Sequence, residues 1–382
     1  MDSQKGILIL TPFFRPNIGG VESYLDDLCA GLAGRGYRTY VLTYQPLTSR
    51  LKGEKCEKNG NLEIRRLSWF GHNWFHKLEP YPILEFLYLA PGLFIFTYLF
   101  MLKNHKQIDC IHAQGLNAAF IAKFLAKIFR KRCVMSTCAV YDFKNKPILS
   151  KIVKWTLCRF DKILALADFS RRELLGVGLP EAKIDVYYLW VDQNKYIPAD
   201  KGKSKQNAGL SNKFVVLFVG RFIKIKGVEI LAEAAKRADK NITFVFIGDE
   251  GPYLSFLEKE AQTCKNIVLV RGVRGEELIP YYQAADVLVI PSQYEEAFGK
   301  VIIEALSCGT PVIGADRGAI PDILDSSVGR VIPATTENIK KEVEYFYKHP
   351  DILAKLKNNC RQYAKEKFSD KNTECIIKSY NV

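Results

Sequence analysis

Short apolar runs alternate with segments of helical periodicity along nearly the whole chain, and this alternation constrains the fold more than any other feature. The run at residues 7–11 is followed by apolar residues at helical spacing over 21–32, and the run at 214–219 opens a second series. Apolar strands separated by helices form parallel sheets covered on both faces. We therefore predict an α/β protein, with further strands at 40–43, 64–67, 108–113, 133–137, 162–165, 184–188, 243–247, 267–270, 287–290 and 312–314.

A polar segment without periodicity, residues 201–212, separates the two series. A chain of 382 residues also exceeds the size of one typical core. We therefore predict two Rossmann-like domains, at 1–195 and 213–365, with a linker at 201–212 and a C-terminal helical piece at 366–382. Ligands of such folds bind beyond the carboxyl ends of the strands, so we expect the two parallel sheets to face each other across a cleft.

Positive charge is concentrated in the first half of the chain. The formal net charge is +14, and residues 1–190 contain 27 Lys and Arg against 16 Asp and Glu. Residues 121–162 contain 11 basic and two acidic residues, and we call the part from Lys123 to Lys154 the basic cluster. Such a surface attracts nucleic acid, acidic lipid headgroups or an anionic acceptor such as a lipid diphosphate. No motif that reads RNA or DNA accompanies the charge, so we expect no nucleic-acid partner.

Cysteine usage and the first residues indicate the compartment. The ten cysteines show no CxxC or metal-ligand spacing, and Met1 to Lys5 lacks the basic and then apolar pattern of a secretory signal. We therefore expect reduced thiols, no structural zinc, and a cytoplasmic protein that could bind peripherally to the inner face of the plasma membrane.

The segment from Ile83 to Leu102 is apolar over about 20 residues, which is the length that a helix needs to span a membrane. Strands on both sides of it belong to one predicted sheet, however, and a sheet cannot be completed across a bilayer. Glu85 and Pro91-Gly92 also interrupt the run. Two interpretations compete with spanning: a pair of helical pieces packed into the first domain, or shallow insertion of one exposed face into the cytoplasmic leaflet, assisted by the basic cluster.

Two carboxylates flank a Phe-Gly turn in the segment 292–311, SQYEEAFGKVIIEALSCGTP. Glu296 precedes the turn. Glu304 lies eight positions after Glu296, on a predicted helix that follows the turn. Upstream, Arg221 and Lys226 follow the strand predicted at 214–219. A helix N-terminus presents unpaired N–H groups and a partial positive charge, which suits a phosphate, and the two cations suit its remaining charge.

Four elements in this order resemble the retaining GT-B glycosyltransferases of family 4, which carry an E-x7-E signature. These are the glycine-rich loop PNIGGVE at 16–22, Arg221 with Lys226-Gly227, EAFG at 296–299 with Glu304, and GTPV at 309–312. The resemblance runs from the first strand to the last helix. It implies the GT-B fold, a final helix that crosses back onto the first domain, and a UDP- or GDP-sugar donor.

The resemblance also implies roles for the site residues. Glu304 would accept hydrogen bonds from the ribose hydroxyls, and Glu296 would contact sugar hydroxyls and stabilise positive charge near the anomeric carbon. Arg221, Lys226 and Glu296 would be the catalytic residues. The implied donor-binding residues are Gly19, Gly20, Arg221, Lys226, Val273, Glu296, Phe298, Gly299, Lys300, Val301 and Glu304.

Stabilisation of the departing diphosphate does not require a metal ion in this chain. The metal-binding DxD motif of another transferase fold is absent, and Arg221 and Lys226 can supply positive charge instead. A cation about 4 Å from a phosphate oxygen contributes on the order of 4 kcal/mol at an effective dielectric constant near 20. We therefore expect no metal and no cofactor, with the nucleotide sugar as substrate.

Two departures from the family pattern leave the donor sugar open. Many relatives have a histidine after the fifth strand of the first domain, where this chain has Ser136-Thr-Cys138, and the usual Asn-Gly-Val-Asp is Leu189-Trp-Val-Asp192. His112, at the end of a predicted strand, could approach the acceptor or lie in the core.

Several functions remain open. The first is cell-envelope glycan biosynthesis by a membrane-associated glycosyltransferase with a lipid-linked or surface-glycan acceptor. Transfer to a soluble acceptor is favoured if Ile83 to Leu102 is fully buried. An epimerase or phosphorylase of related fold would need no acceptor, and Arg221 with Lys226 argues against it. Intact acidic and basic residues argue against a silent binding subunit, and the glycine loop is not the G-x-G-x-x-G of a dehydrogenase.

Overall fold

The computed structural model describes residues 5–17, 19–47, 51–71, 74–78, 81–249 and 251–381. The chain divides into two compact units, Met1–Tyr188 with Asp370–Val382, and Leu189–Ser369. Each unit contains its own predominantly parallel sheet with helices on it, so the α/β prediction is confirmed.

The first unit is built on an eight-stranded sheet. Its strands are β1 (Gly6–Leu10), β2 (Arg38–Tyr44), β3 (Cys56–Asn59), β4 (Leu62–Leu67), β5 (Cys110–Gln114), β6 (Arg132–Ser136), β7 (Lys162–Leu166) and β8 (Ile184–Tyr187). The strand order is β3-β4-β2-β1-β5-β6-β7-β8, and only the pair β3 and β4 is antiparallel. The chain builds one side of the sheet from β1 and then crosses to β5 on the other side of β1. The order therefore reverses between β1 and β5.

Helices cover this sheet, and their apolar stripes form its core with the strands. The helices are α1 (Gly20–Gly34), α2 (Trp74–Leu78), α3 (Pro82–Asn104), α4 (Gly115–Phe129), α5 (Pro147–Leu157) and α6 (Ala167–Gly176). All of these helices lie in the first unit. Strands such as β1 and β5 are buried along their full length, so the sheet needs cover on both faces.

The second unit has a six-stranded sheet in the order β11-β10-β9-β12-β13-β14. Its strands are β9 (Phe214–Val219), β10 (Ile242–Ile247), β11 (Ile267–Val270), β12 (Val287–Ile290), β13 (Val312–Ala315) and β14 (Gly329–Ile332). Its helices are α7 (Lys201–Asn207), α8 (Val228–Arg237), α9 (Leu254–Thr263), α10 (Ile279–Ala284), α11 (Lys300–Ser307), α12 (Ile320–Ile323), α13 (Thr336–Lys348) and α14 (Pro350–Lys367). The strand order reverses between β9 and β12.

The prediction of a linker at 201–212 was wrong. Residues Lys201–Asn207 form α7, whose N-terminus is capped by Asp200, which accepts a hydrogen bond from the Lys203 N–H at 2.7 Å. The helix has no apolar stripe to mark it in the sequence, because ion pairs hold it on the second unit. The division between the units falls after Tyr188 and after Ser369, outside the predicted linker.

The last helix, α15 (Asn372–Asn381), belongs to the first unit, as the resemblance implied. Its Tyr380 hydroxyl lies 2.7 Å from Nδ1 of His112 in β5, and Nε2 of His112 lies 2.7 Å from the Ser136 hydroxyl in β6. His112 is fully buried, so it is a core histidine rather than a contact for an acceptor. Burial lowers the pKa of His112 to about 3, which keeps the ring neutral.

The segment from Ile83 to Leu102 lies within the single helix α3, which continues through Pro91 without a break. The expected pair of helical pieces is therefore not observed. The part Ile83–Gln107 is long and apolar enough to cross a membrane by length and composition, and 39% of its most apolar window is buried. Residues such as Leu93 and Met101 are buried in the core, whereas Ile83 and Ile95 are exposed.

Asp286, just before β12, anchors several elements of the second unit. Its Oδ2 accepts hydrogen bonds from the Val215 N–H at 2.9 Å and from Lys205 at 2.5 Å, and its Oδ1 accepts one from Lys357 at 3.0 Å. Burial opposes ionisation of this carboxyl, but the charges of Lys201, Lys357 and Lys205 outweigh it and lower the pKa of Asp286. The carboxylate therefore joins α7 and α14 to the starts of β9 and β12.

We predict that Asp286→Asn lowers the free energy of unfolding by about 3 kcal/mol at neutral pH, because clustered ammonium groups lose their counter-charge. The folded pKa lies below the unfolded value of about 3.9, so this stabilisation is complete above that value and is lost as the pH falls through the folded pKa. Urea unfolding followed by circular dichroism should show the difference between the variant and wild type shrinking below about pH 4. Glu233→Gln, which removes the partner of Lys236 and Arg237 at the surface, is the control and should change stability little. Equal losses in both variants would contradict the prediction.

We also predict that His112 makes stability fall as the pH decreases from about 6.5 to 3. The unfolded chain binds a proton at this residue near pH 6.5, whereas the folded chain binds it only near pH 3, so acid favours the unfolded state. The slope should reach at most about 1.4 kcal/mol per pH unit. The glutamine of His112→Gln does not titrate. The free energy of unfolding of wild type minus that of the variant should therefore decrease as the pH is lowered from about 6.5 to 3. A difference that stays constant with pH would show that the histidine does not act in this way.

Candidate active site

The strands β9 and β12 are parallel neighbours at the point where the strand order of the second sheet reverses. The loops that leave their carboxyl ends therefore lie side by side, at the position where doubly wound sheets bind ligands. The Gln293 N–H donates a hydrogen bond to the Ile225 carbonyl at 2.7 Å and so joins the two loops. A Cβ atom on Gly227 would lie 1.9 Å from the Pro291 carbonyl oxygen, and φ of Gly227 is +72°, so only glycine fits this close approach.

Lys226 and Glu296 form the centre of this site. Nζ of Lys226 lies 2.7 Å from Oε1 of Glu296, which also accepts a hydrogen bond from the Ser292 hydroxyl at 2.6 Å. The second carboxylate oxygen, Oε2, accepts a hydrogen bond from the Tyr294 hydroxyl at 2.7 Å. Glu296 is buried, with 5% of its surface exposed. Both of its carboxylate oxygens are therefore held in fixed positions.

Tyr294 contacts both charged groups. Nζ of Lys226 lies 5.0 Å from the centre of its ring, which is a favourable position for a cation over an aromatic face. Burial and the adjacent Glu296 carboxylate raise the pKa of Tyr294, and Arg221 partly offsets the rise. Tyr294 therefore remains a hydrogen-bond donor to Glu296.

Arg221 follows β9 by two residues and is exposed. The structure brings it near Tyr294 but does not pair it with an acidic side chain among the described residues. Within the described part of the chain, its guanidinium group can bind two oxygens of a phosphate without first breaking an ion pair.

Glu304 lies in the second turn of α11, with 8% of its surface exposed. Its Oε2 accepts a hydrogen bond of 2.7 Å from the hydroxyl of Tyr282 on α10. Burial and the Glu304 carboxylate raise the pKa of Tyr282 well above its usual value, so the hydroxyl keeps its proton. Glu304 is thus oriented within α11 by a buried donor.

The turn before α11 is left-handed at Gly299, where φ is +88°. Lys300 and Val301 are the first two residues of the helix, so their backbone N–H groups lie at its positively polarised N-terminus. The Phe298 side chain is buried and packs against Phe368 with ring centres 6.1 Å apart. Phe298 can therefore reach a ligand only through its backbone.

The loops after β10 and β11 continue the same edge of the sheet. Asp249, after β10, accepts hydrogen bonds of 2.5 Å from the Gly272 N–H and from Nε of Arg274. Burial opposes ionisation of Asp249, but these donors outweigh it and lower its pKa. The predicted residue Val273 lies between the two donors. The ends of β11, β10, β9 and β12 thus form a row about 15 Å long.

Gly19 and Gly20 lie in the first unit, where they begin α1 after the loop that leaves β1. Ile18 of the same glycine-rich loop is outside the described residues. A Cβ atom on Gly20 would meet no heavy atom within 4 Å, so this position is open.

Sequence reasoning did not find three partners of the two glutamates, namely Ser292, Tyr294 and Tyr282. The first two lie within the quoted segment, four and two residues before Glu296, so proximity was the available signal. Tyr282 is 22 residues from Glu304 and gives no local signal. All ten cysteines are free, and no group of three or more His, Cys, Asp or Glu in the described part of the chain could hold a metal ion.

Two family models match the chain. Residues 18–195 match the model Glycosyltransferase Family 4, and residues 200–367 match the model Glycosyl transferases group 1. A GDP-mannose-dependent alpha-(1-6)-phosphatidylinositol monomannoside mannosyltransferase from Mycolicibacterium smegmatis is 24% identical over 351 residues, which are 86% of this chain and 85% of that protein.

Solved structures show the same fold. Sucrose-phosphate synthase from Thermosynechococcus elongatus gives a TM-score of 0.83 at 18% identity and covers 99% of this chain and 98% of its own. Anabaena HepE in complex with UDP-glucose gives a TM-score of 0.78 at 20% identity and covers 98% of this chain and 99% of its own. With both family models matched and this fold, the chain is a GT-B glycosyltransferase and belongs to glycosyltransferase family 4.

Proposed function

We propose that the protein is a retaining, metal-independent glycosyltransferase that transfers a sugar from a UDP- or GDP-sugar to a lipid-linked or surface-glycan acceptor in cell-envelope glycan biosynthesis. The observation that carries the proposal is the contact between Lys226 and Glu296 at the adjacent ends of β9 and β12. This contact supports the proposal because a cation suits a diphosphate and a carboxylate suits the hydroxyls of a sugar. Neither residue needs a metal ion or cofactor for this role.

We assign each group of a nucleotide sugar to residues that follow these strands. The backbone near Val273 would meet the base, and Glu304 would bind the ribose. Arg221, Lys226 and the N–H groups of Lys300 and Val301 would bind the diphosphate. Glu296 would contact the sugar. The HepE structure in complex with UDP-glucose and the GDP-mannose-dependent mannosyltransferase support a donor of this class.

Charge development explains what these residues do during transfer. The bond between the anomeric carbon and the diphosphate oxygen breaks, and Arg221 and Lys226 stabilise the negative charge on the departing phosphate. Glu296 stabilises positive charge on the sugar ring. The acceptor oxygen attacks the anomeric carbon from the face that the diphosphate leaves, so the anomeric configuration is retained. The proton of the acceptor hydroxyl passes to the leaving phosphate. Gly19 and Gly20 of the first unit would allow close approach to the diphosphate.

A lipid-linked acceptor at the inner face of the plasma membrane is favoured over a soluble one because α3 is not fully buried. The mannosyltransferase relative is named for a phosphatidylinositol monomannoside, which is a lipid. An epimerase or phosphorylase would not need an acceptor. Product analysis with membrane extract and with soluble sugars as acceptors separates these alternatives.

The donor and the stereochemistry can be tested directly. Calorimetry with UDP- and GDP-sugars should show binding of one nucleotide class, and NMR of the product should show the anomeric configuration of the donor. Transfer should persist in EDTA. An inverted product, or loss of activity in EDTA that is restored by a divalent metal, would contradict the proposal.

We predict that Lys226→Met and Glu296→Gln each reduce kcat by about 10²- to 10³-fold, because each removes charge that acts on the transition state. Lys224→Met is the matched control, since Lys224 is an exposed lysine in the same short turn. It should retain near wild-type turnover. Melting temperatures of all three variants identify any loss caused by unfolding. Full activity of Lys226→Met would refute the assignment of this lysine.

We predict that Tyr282→Phe weakens donor binding by about tenfold while kcat changes less, because Glu304 loses the hydrogen bond that orients it. The effect should be the same for free UDP or GDP as for the sugar nucleotide, since Glu304 is assigned to the ribose. Tyr281→Phe, a neighbouring tyrosine on α10, is the control. A loss in kcat alone would argue against the role assigned to Glu304.

A further inference from the structure

An apolar stripe runs along the outer face of α3. From Leu84 onward its members recur three or four residues apart, and side chains such as Ile83 at 76% and Ile95 at 58% exposure contact little of the protein. The stripe consists of Ile83, Leu84, Leu87, Pro91, Ile95, Leu99 and Leu102. At 1.5 Å per residue it extends over roughly 30 Å. Contiguous apolar surface of this length marks a protein or membrane contact site in most soluble proteins.

The opposite face of α3 is fixed in the core of the first unit. Tyr44 of β2 donates a hydrogen bond of 2.5 Å to the Leu89 carbonyl, and Trp69 donates one of 3.1 Å to the Tyr88 carbonyl. Leu93 and Met101 are buried on the same side. A helix held on one face by a sheet cannot be surrounded by lipid, so α3 presents only its stripe.

Two neighbouring helices extend the apolar surface. On α5, Ile148, Ile152 and Trp155 are exposed at helical spacing. The half-buried ring of Phe120 on α4 lies 4.9 Å from Phe86 of α3 and 6.1 Å from Trp155, measured between ring centres. The rings thus connect the stripe of α3 to that of α5, and we call the combined surface the α3–α5 face.

Basic side chains border this face. Nζ of Lys123 on α4 lies 2.8 Å from the centre of the Trp155 ring, and Lys151 and Lys154 are exposed beside Ile148 and Ile152 on α5. Lys127 of α4 is exposed as well. Apolar side chains bordered by lysines suit the interface of a bilayer, where the apolar side chains can enter the hydrocarbon and the lysines can contact anionic headgroups.

Aromatic side chains lie near the N-terminal end of α3. Phe70, Trp74 and Tyr81 are exposed, and the rings of Phe70 and Trp74 are 5.8 Å apart. Tryptophan and tyrosine favour the boundary between headgroups and hydrocarbon. The surface therefore carries two kinds of side chain, lysines and interfacial aromatic residues, that both prefer a bilayer interface.

We propose that the α3–α5 face docks on an anionic lipid bilayer, with α3 parallel to the membrane plane and its stripe inserted into the outermost hydrocarbon. Docking would hold the first unit against the membrane that contains a lipid-linked acceptor, and this purpose rests on the proposed function. Docking itself is a binding property that can be measured without transfer. Complementary charge selects a bilayer over a second copy of this basic chain.

The test is sedimentation of the full chain with vesicles. Vesicles of phosphatidylcholine with phosphatidylglycerol should bind the protein, and vesicles of phosphatidylcholine alone should bind it at least tenfold less. Binding should weaken as salt is raised. Failure of the wild type to bind the anionic vesicles overturns the proposal and leaves the proposed transfer, assayed with detergent-dispersed acceptor, unaffected.

Variants separate the two components of the face. Ile95→Glu with Leu99→Glu should reduce vesicle binding more than tenfold, and the control Ile197→Glu, at a similarly exposed isoleucine of the second unit, should not. Lys127→Gln with Lys151→Gln should reduce it by about fivefold per lysine, whereas Lys348→Gln on α13 should not. Melting temperatures should remain unchanged because these side chains are exposed. Wild-type binding by the glutamate variant overturns the proposal.

Two further readouts distinguish other occupants. Trp155 fluorescence should shift to shorter wavelength with anionic vesicles, and Trp155→Phe should remove that component. Sedimentation velocity without lipid should show a monomer. A dimer that Ile95→Glu dissociates, with no vesicle binding, would assign the face to a second copy instead. Bound protein that resists high salt and alkaline carbonate would indicate a spanning helix and would also overturn the proposal.

Discussion

The parallel adjacency of β9 and β12 is the constraint on which the candidate active site depends. These strands are separated in the chain by β10, β11 and their helices, yet they pair because the sheet grows first to one side of β9 and then to the other. Their carboxyl ends therefore deliver Lys226 and Glu296 to the same place. Close backbone approach at Gly227 and the hydrogen bond from Gln293 to Ile225 fix the distance between the loops.

Two buried carboxylates of the second unit, Glu296 and Asp286, are each paired with lysine and with hydrogen-bond donors. Glu296 has a cation and two hydroxyl donors, and Asp286 has lysines and a backbone N–H. The two carboxylates differ in position, since one lies beyond the carboxyl ends of the strands and the other before their amino ends. The first belongs to the candidate active site, whereas the second holds helices in place. The same physical rule thus applies to a candidate site at one edge of the sheet and to a structural anchor at the other.

Much of the fold could be predicted from the sequence, because buried parallel strands are continuous apolar runs. The strands at 214–219, 267–270 and 287–290 have the predicted bounds, and the others predicted differ by few residues. Two strands were missed. Cys56–Asn59 is polar and exposed at the antiparallel edge of its sheet, and Gly329–Ile332 is short and begins with glycine. Both strands lie at the edge of their sheet, where fewer helices and strands cover them, so neither needs a long apolar run.

The predictable part of the site follows from chain topology, and the unpredictable part depends on side-chain direction. Residues that follow adjacent strands must approach each other, so Lys226 and Glu296 could be grouped from the sequence. The hydroxyl partners Tyr282 and Tyr294 could not, because nothing local specifies where their rings point. The same holds for α3, whose composition is apolar on all sides while its packing buries only one.

The membership of α15 in the first unit has a consequence for biosynthesis. The first unit is discontinuous, since its last helix is encoded after the whole of the second unit. A ribosome that has released residue 369 has supplied everything that the second unit contains, whereas His112 still lacks the Tyr380 hydroxyl that completes its buried surroundings. The first unit therefore stays incompletely packed until α15 has been translated. The unit whose synthesis begins first is thus the one that is completed last.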